Sequence, residues 1–262
     1  MPEGDAVHRT AARLRAALDG RVLARSDFRV PRYATADLSG RAVLTTEARG
    51  KHLLTRVEGG LTVHTHLRMD GSWRVQAAGT PVRRGDAVRL ILVNDLRQAV
   101  GVKLGMVDLV PTGQEDRLVG HLGPDLLDPA WDAEHAARAA ANIARHPGTT
   151  IGEALLDQRN VAGIGTIWRA ETLFLAGVSP HRPAGEVADL AKMMDLAHRL
   201  LDAAKDQPGG PVTTGDPRPG RRLWAYARGG RPCLRCGGRM IAGELGDRSY
   251  ERPIFYCPTC QT

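Results

Sequence analysis

Residues 233–260 read CLRCGGRMIAGELGDRSYERPIFYCPTC. Two Cys-x-x-Cys knuckles, Cys233 with Cys236 and Cys257 with Cys260, flank twenty intervening residues and account for all four cysteines of the chain. Knuckles so spaced can set four thiolates around one zinc ion with arms of about 2.3 Å. Four sulfurs leave no place for water, so such an ion holds a fold together and does no chemistry of its own. The segment is expected to be a β-hairpin zinc finger; the other readings of the spacing are a redox pair or two unconnected disulfides.

Outward from the finger, residues 221–262 carry eight arginines against Glu244, Asp247 and Glu251, a surplus of five in a chain whose formal net charge is +7. With a pI near 9.7, the molecule is drawn to polyanions, nucleic acid first among them. The preceding stretch, 206–220, is too rich in Gly and Pro for regular structure and is expected to be a mobile loop. Before it, Ala-rich stretches near 130–145, 150–158, 166–176 and 185–204 read as helices, with Thr150 and Glu153 matching a capping box. Within LLDQRNVAGIGTIWRAE, residues 155–171, one helix ends near Asn160, the chain passes Gly163 and Gly165, and another helix starts near Thr166. Unpaired N–H groups at such a start suit phosphate oxygens, although an ordinary helix-turn-helix corner explains the glycines equally well.

The N-terminal part has a different period. Val7, Ala11, Leu14 and Leu18 form the stripe of a first helix that stops at Gly20. From 21 to 110, β-rich runs at 41–47, 52–57, 61–67, 86–93 and 98–109 are broken at Gly59-Gly60, Asp70-Gly71 and Gly85-Asp86, the pattern of an antiparallel sandwich. The start, MPEG, has a small second residue that permits removal of Met1, leaving a secondary amine at Pro2 beside the carboxylate of Glu3. An α-amine titrates near pH 8 and is partly nucleophilic at neutral pH. Neither a membrane span nor a signal peptide is visible, so a cytoplasmic location without membrane association is expected.

These segments in this order resemble the family of formamidopyrimidine-DNA glycosylase and endonuclease VIII: MPEG at the start, RGKH at 49–52, HLRMDGSW at 66–73, LGPDLL at 122–127, QRNVAGIG at 158–165 and the finger ending ERPIFYCPTCQ. Pro2-Glu3-Gly4 is closer to the endonuclease VIII branch. The resemblance implies an α+β multidomain fold with an N-terminal β-sandwich and helix (1–111), a linker (112–128), a helix-two-turns-helix domain (129–220) and a four-cysteine zinc finger (221–262). It implies a bifunctional DNA glycosylase and abasic-site lyase that excises oxidised bases, mainly pyrimidines, and cleaves the strand by β,δ-elimination. Pro2 corresponds to the nucleophile at C1′, Glu3 to the general acid and base, and Lys51 to the lysine that assists elimination. Arg252, in Tyr250-Glu-Arg-Pro, corresponds to the arginine that clamps the phosphates flanking the lesion. Asn160 and His66 correspond to further phosphate ligands and Met69 to the residue that fills the vacated stack. One structural zinc, damaged duplex or single-stranded DNA as the partner, and a monomer complete the expectation.

Two departures bear on substrate. Asp5-Ala6 stands where the family often has a second glutamate, and the loop Asn94–Val100 lacks the arginine-phenylalanine wedge of the formamidopyrimidine enzymes. The finger stem reads AYARGG at 225–230, a small change. Two other functions stay open at this point: a catalytically quiet, zinc-dependent binder of damaged or single-stranded DNA, and a formamidopyrimidine-type enzyme for oxidised purines.

Overall fold

The stripe Val7, Ala11, Leu14 and Leu18 winds into α1 (Gly4–Leu18), and each of the four is at most 1% exposed. The computed structural model describes residues 2–82, 87–246 and 251–262, so Met1, the expected Gly85-Asp86 break and Tyr250 lie outside the described residues. The chain forms two compact units: Pro2 with Ala6–His121, and Glu3–Asp5 with Leu122–Thr262.

Among the described residues the first unit holds eight strands: β1 (Arg25–Phe28), β2 (Val43–Arg49), β3 (His52–Val57), β4 (Leu61–His66), β5 (Ser72–Ala77), β6 (Val88–Val93), β7 (Arg97–Val102) and β8 (Met106–Pro111). They make two four-stranded antiparallel sheets, ordered β1-β6-β7-β5 and β2-β3-β4-β8. Alternation sends Leu53, Val57 and Val63 of one sheet and Leu90, Leu92 and Ala99 of the other into a single core with α1, the arrangement of a sandwich. The run 98–109 is two strands rather than one, because Lys103 has a left-handed backbone (φ 50°) and the chain passes from one sheet to the other through Leu104-Gly105. Strands β1 and β5, outside the expected runs, are the two edges of their sheet: β1 is four residues long, and β5 alternates apolar and polar residues but buries only Trp73, leaving Arg74, Val75 and Ala77 exposed.

Residues 112–128, expected to be a linker, carry structure. A 3-10 turn (Thr112–Gln114) and α2 (Asp116–Val119) lie over the sheet face opposite the core, where Glu115 accepts two 2.8 Å bonds from Arg56 and one of 2.6 Å from Thr62. In the second unit Leu126 is fully buried and Asp125 bridges to Ala162.

That second unit packs α3 (Ala133–Ala144), α4 (Ile151–Ala154), α5 (Thr166–Ala176) and α6 (Leu190–Lys205), followed by the hairpin β9 (Ile241–Leu245) and β10 (Arg252–Tyr256). Two expected helices are shorter than read. Asn160 donates to the Ala154 carbonyl and Gln158 binds the loop beyond, so α4 stops after one turn. Asp189 caps the Lys192 amide and starts α6 at Leu190, five residues later than expected, after a 3-10 turn at Ala184–Glu186. The core joins Ile143, Ile151, Leu155, Ile164, Trp168, Leu173, Met194 and Leu201. A second cluster sets Ala170 and Phe174 of α5 against Ala225, Cys233, Met240 and Cys257, so α5 is buried on two faces. Gly177 ends α5 in the left-handed region (φ 71°), where a side chain would be strained. Residues 206–220 have no regular structure, as expected, but Arg222 donates to the carbonyls of Gly209 and Gly210 and pins them. Among the described residues no helix is long and apolar enough to cross a membrane.

Candidate active site

Glu3 is 2% exposed, and its carboxylate seats on the first turn of α5. It accepts from the amides of Gly165 at 2.9 Å, Ile167 at 2.7 Å and Trp168 at 3.1 Å. An α-helix leaves its first amides unpartnered and partly positive, which is why a carboxylate is stable there. The glycines of the preceding loop make the approach possible: a Cβ on Gly165 would lie 2.3 Å from the Glu3 carboxyl carbon. Of the two readings left open for this helix start, the amides of Gly165, Ile167 and Trp168 are taken by Glu3 and are not free for a phosphate. Gly4 donates to the Gly163 carbonyl at 2.9 Å and the Trp168 indole to Asp5 at 2.9 Å, so residues 3–5 are anchored one after another. Asp5, standing where the family often has a second glutamate, is buried and serves as that anchor. Half-buried Pro2 precedes Glu3 directly.

Asn160 sits at the end of the same loop, with one donor on the Ala154 carbonyl at 2.9 Å. Arg252 opens β10, is exposed, and donates to the Glu251 carbonyl. It lines a cavity of about 500 Å³ with Glu153, Asp157, Arg159 and Arg169. Arg169 is 1% exposed and donates to the carbonyls of Gly152 and Pro253, at 3.2 and 2.6 Å. Burial pulls its pKa down to about 10, with Glu3 opposing.

In the first unit, Lys51 lies in the two-residue turn between β2 and β3 and is 8% exposed, where an isolated lysine is ordinarily solvated. His66 ends β4 and pairs with His52 across the sheet. Burial, then the charge of Arg68, lowers its pKa to about 4, with Lys51 close enough to contribute. Met69 stands at the tip of the next turn, 64% exposed, and belongs to no core. The loop after β6 is a tight turn closed by Asn94, whose side-chain oxygen accepts from Leu96 and Arg97 at 3.0 and 2.7 Å. So short a turn carries only Asp95 and Leu96 at its tip.

The finger brings its cysteines together: all four Sγ atoms lie within 4.8 Å of one another, with Cys236 to Cys257 at 3.5 Å and Cys233 to Cys260 at 4.0 Å. A tetrahedron with arms of about 2.3 Å has edges of about 3.8 Å, so the donor set fits one zinc ion. Gln261 accepts from the Cys257 amide and donates to the Val178 carbonyl, tying the last knuckle to the end of α5.

Several structural residues had no signal of their own. Glu171 on α5 is fully buried and accepts from the amides of Trp224, Ala225 and Tyr226 at 2.8 to 2.9 Å and from the Thr213 hydroxyl. Arg169 and Asn142, which donates to the carbonyls of Arg159 and Asn160, read as surface until the chain is folded. His64 and His66, two residues apart in a strand, did carry one: period two puts them on one face with Asp108.

Comparison with known proteins agrees along the whole chain. Residues 1–108 match the formamidopyrimidine-DNA glycosylase N-terminal domain and residues 122–208 the formamidopyrimidine-DNA glycosylase H2TH domain. The chain is 56% identical to the probable endonuclease 8 2 of Streptomyces coelicolor, over all of this chain and 94% of that protein. It is 46% identical to the endonuclease 8 2 of Mycobacterium tuberculosis, over the full length of both. A DNA-(apurinic or apyrimidinic site) lyase of Mycolicibacterium smegmatis is 42% identical, over 100% of this chain and 99% of that one. The Lactococcus lactis Fpg bound to abasic-site DNA superposes with a TM-score of 0.82 at 22% identity, covering both chains fully, which establishes the fold. The chain therefore belongs to the formamidopyrimidine-DNA glycosylase and endonuclease 8 family.

Proposed function

We propose that this protein is a bifunctional DNA glycosylase and abasic-site lyase of base excision repair, acting mainly on oxidised pyrimidines. The observation that carries the reading is the Glu3 carboxylate, immediately after Pro2, buried and held by the amides of Gly165, Ile167 and Trp168 at the start of α5. An acid so fixed next to a secondary amine is a pair suited to covalent catalysis at a sugar carbon. The Pro2 nitrogen attacks C1′, the bond to the damaged base breaks with Glu3 managing the proton, and the open-chain sugar becomes an iminium. Loss of the C2′ proton then expels the 3′ phosphate, and loss of the C4′ proton expels the 5′ phosphate. Lys51 assists these eliminations, Arg252, Asn160 and His66 hold the backbone phosphates, and Met69 fills the gap left by the extruded base.

The two-residue turn at Asp95-Leu96 supports pyrimidine lesions, since it offers no wedge for inspecting a base opposite an oxidised guanine. One zinc ion on Cys233, Cys236, Cys257 and Cys260 would keep the finger folded. The relatives named as endonuclease 8 and abasic-site lyase support the reading, in which the protein works as a monomer in the cytoplasm among the DNA. Borohydride trapping on oligonucleotides carrying oxidised pyrimidines, oxidised purines or an abasic site tests it. A covalent adduct mapping to the N-terminal peptide, strongest with pyrimidine lesions, is the expected result. Tight binding with no adduct on any lesion would leave only a binder.

A further inference from the structure

The sheet face opposite the Leu53 and Val63 core carries a row of rings. Asp108 Oδ2 lies 3.2 Å from His64 Nδ1, and His64 Nε2 lies 2.8 Å from His52 Nδ1. His52 stacks on His64, with centroids 5.1 Å apart, and meets His66 edge-on at 4.9 Å. On the near side, the His66 Nδ1 accepts the Arg68 amide at 2.9 Å. Arg68 has a left-handed backbone (φ 54°), and its side chain crosses Gly105 where any Cβ would collide with it.

These hydrogen bonds settle where each proton lies. The other oxygen of Asp108 already accepts from the Tyr33 hydroxyl and faces the Arg32 guanidinium, so Asp108 is an acceptor and His64 Nδ1 must donate. A neutral His64 then offers Nε2 as a lone pair, and His52 must carry its proton on Nδ1 to fill it. His66, with a lone pair committed to the Arg68 amide, carries its proton on Nε2. Charging any of the three rings would place cations against one another and against Lys51, Arg68 and His121, which face the cluster from the β2–β3 turn, the turn after β4 and the segment after α2.

We infer that Asp108, His64 and His52 are positioning residues: as a proton-ordered stack they set a neutral His52 ring edge-on against His66, which the Arg68 amide keeps in its Nε2–H form, an uncharged hydrogen-bond donor to a DNA phosphate beside the cationic Lys51. This rests on the repair reading above. Burial agrees, lowering the pKa of His52 to about 3 and of His66 to about 4 and moving that of His64 down.

Long-range nitrogen–proton correlation spectra of the free protein at pH 7, assigned with single His→Gln variants, read the ring states directly. The expected pattern is Nδ1–H for His64 and His52 and Nε2–H for His66, all neutral. An imidazolium at any of the three, or Nε2–H on His52, overturns the inference whether or not DNA is bound. Binding to a duplex with a tetrahydrofuran abasic analogue adds the functional arm. His66→Gln, still a neutral donor, should keep affinity within about threefold, whereas His66→Ala loses roughly tenfold, and neither changes the salt slope. Lys51→Ala should lower that slope by about one. Affinity should also stay flat from pH 6 to 8; a fall of about tenfold per pH unit, or a slope lowered by His66→Ala, would mean a cationic donor. His64→Gln can bridge Asp108 and His52 and should keep the His52 tautomer, while His64→Leu, which offers the His52 Nδ1–H no acceptor, should shift the His52 proton toward Nε2. If His52 is unmoved in a folded His64→Leu protein, the stack positions nothing. Absence of any binding by the wild type would sink the repair reading, leaving the ring states to judge the stack.

Discussion

A methyl group on Gly165 would sit 2.3 Å from the Glu3 carboxyl carbon and 2.5 Å from its Cγ. Gly165→Ala should therefore expel the carboxylate from its three amides while touching neither Pro2 nor any phosphate ligand. Base excision should fall by on the order of a hundredfold, the usual contribution of a positioned acid or base. Incision at a preformed abasic site, which needs no departing base, should suffer less; single-turnover assays on the two substrates check this, and equal losses would argue that Glu3 serves the lyase steps as much. Arg252→Ala makes a different prediction. It should weaken binding with little change in lesion choice and lower the dependence of affinity on salt by about one unit for each phosphate that the guanidinium neutralises. At this scale the resemblance named Glu3, but nothing in residues 155–171 said that their amides turn to residue 3 rather than to a ligand. Lys51 was legible by type and position, yet its burial depends on strands that only pair in the folded sheet.

Among the elements, α5 is the one whose sequence and environment agree least with a surface helix. Both its faces are buried, and Glu171, in its middle, binds three consecutive amides at 224–226. Glu171→Ala would leave those donors buried and unpartnered, at a cost of about 1 kcal/mol or more for each. Thermal unfolding should shift downward by several degrees, and limited proteolysis should cut first near residues 213–226. The finger gives the second test at this scale. Cys233→Ser or Cys260→Ser should lose the metal and most DNA binding, because metal affinity in such a module is largely its folding free energy; purified wild type with a metal content near zero would refute the zinc assignment. The β-rich run at 52–57 and the helix at 166–176 were readable to the residue, and the four cysteines announced their own cluster. Strands β1 and β5 were not, since a four-residue polar strand and an exposed edge take their conformation from the neighbour they pair with. The early end of α4 was hidden for the same reason, as side chains of Gln158 and Asn160 decide it.

For the molecule as a whole, acid sensitivity follows from the histidines of the β3–β4–β8 face. His52, His64 and His66 have lowered pKa values in the fold, while in the unfolded chain each takes a proton near pH 6.5. The unfolded state thus binds more protons below pH 6.5, so stability is full above that value and is lost as pH falls toward 4. Melting temperature measured from pH 8 to pH 4.5 should drop most steeply below about 6, and replacing His52 by Gln should flatten the curve. The composition had said only that the molecule is basic. That its sandwich hides three neutral imidazoles on one sheet could be traced to period two for His64 and His66, but His52 joins them only through the β3–β4 register.

Glu3 and the amides that hold it are 162 to 165 residues apart along the chain. During synthesis at about 5–20 residues per second, residue 3 leaves the ribosome on the order of ten seconds or more before its partners exist. Pairings so distant in sequence close late, after local helices and hairpins have formed. A nascent or prematurely ended chain of some 120 residues would therefore present the amine of Pro2 without a seated acid beside it, so competence for base removal cannot arrive before residues 165–168 of the 262 have been made.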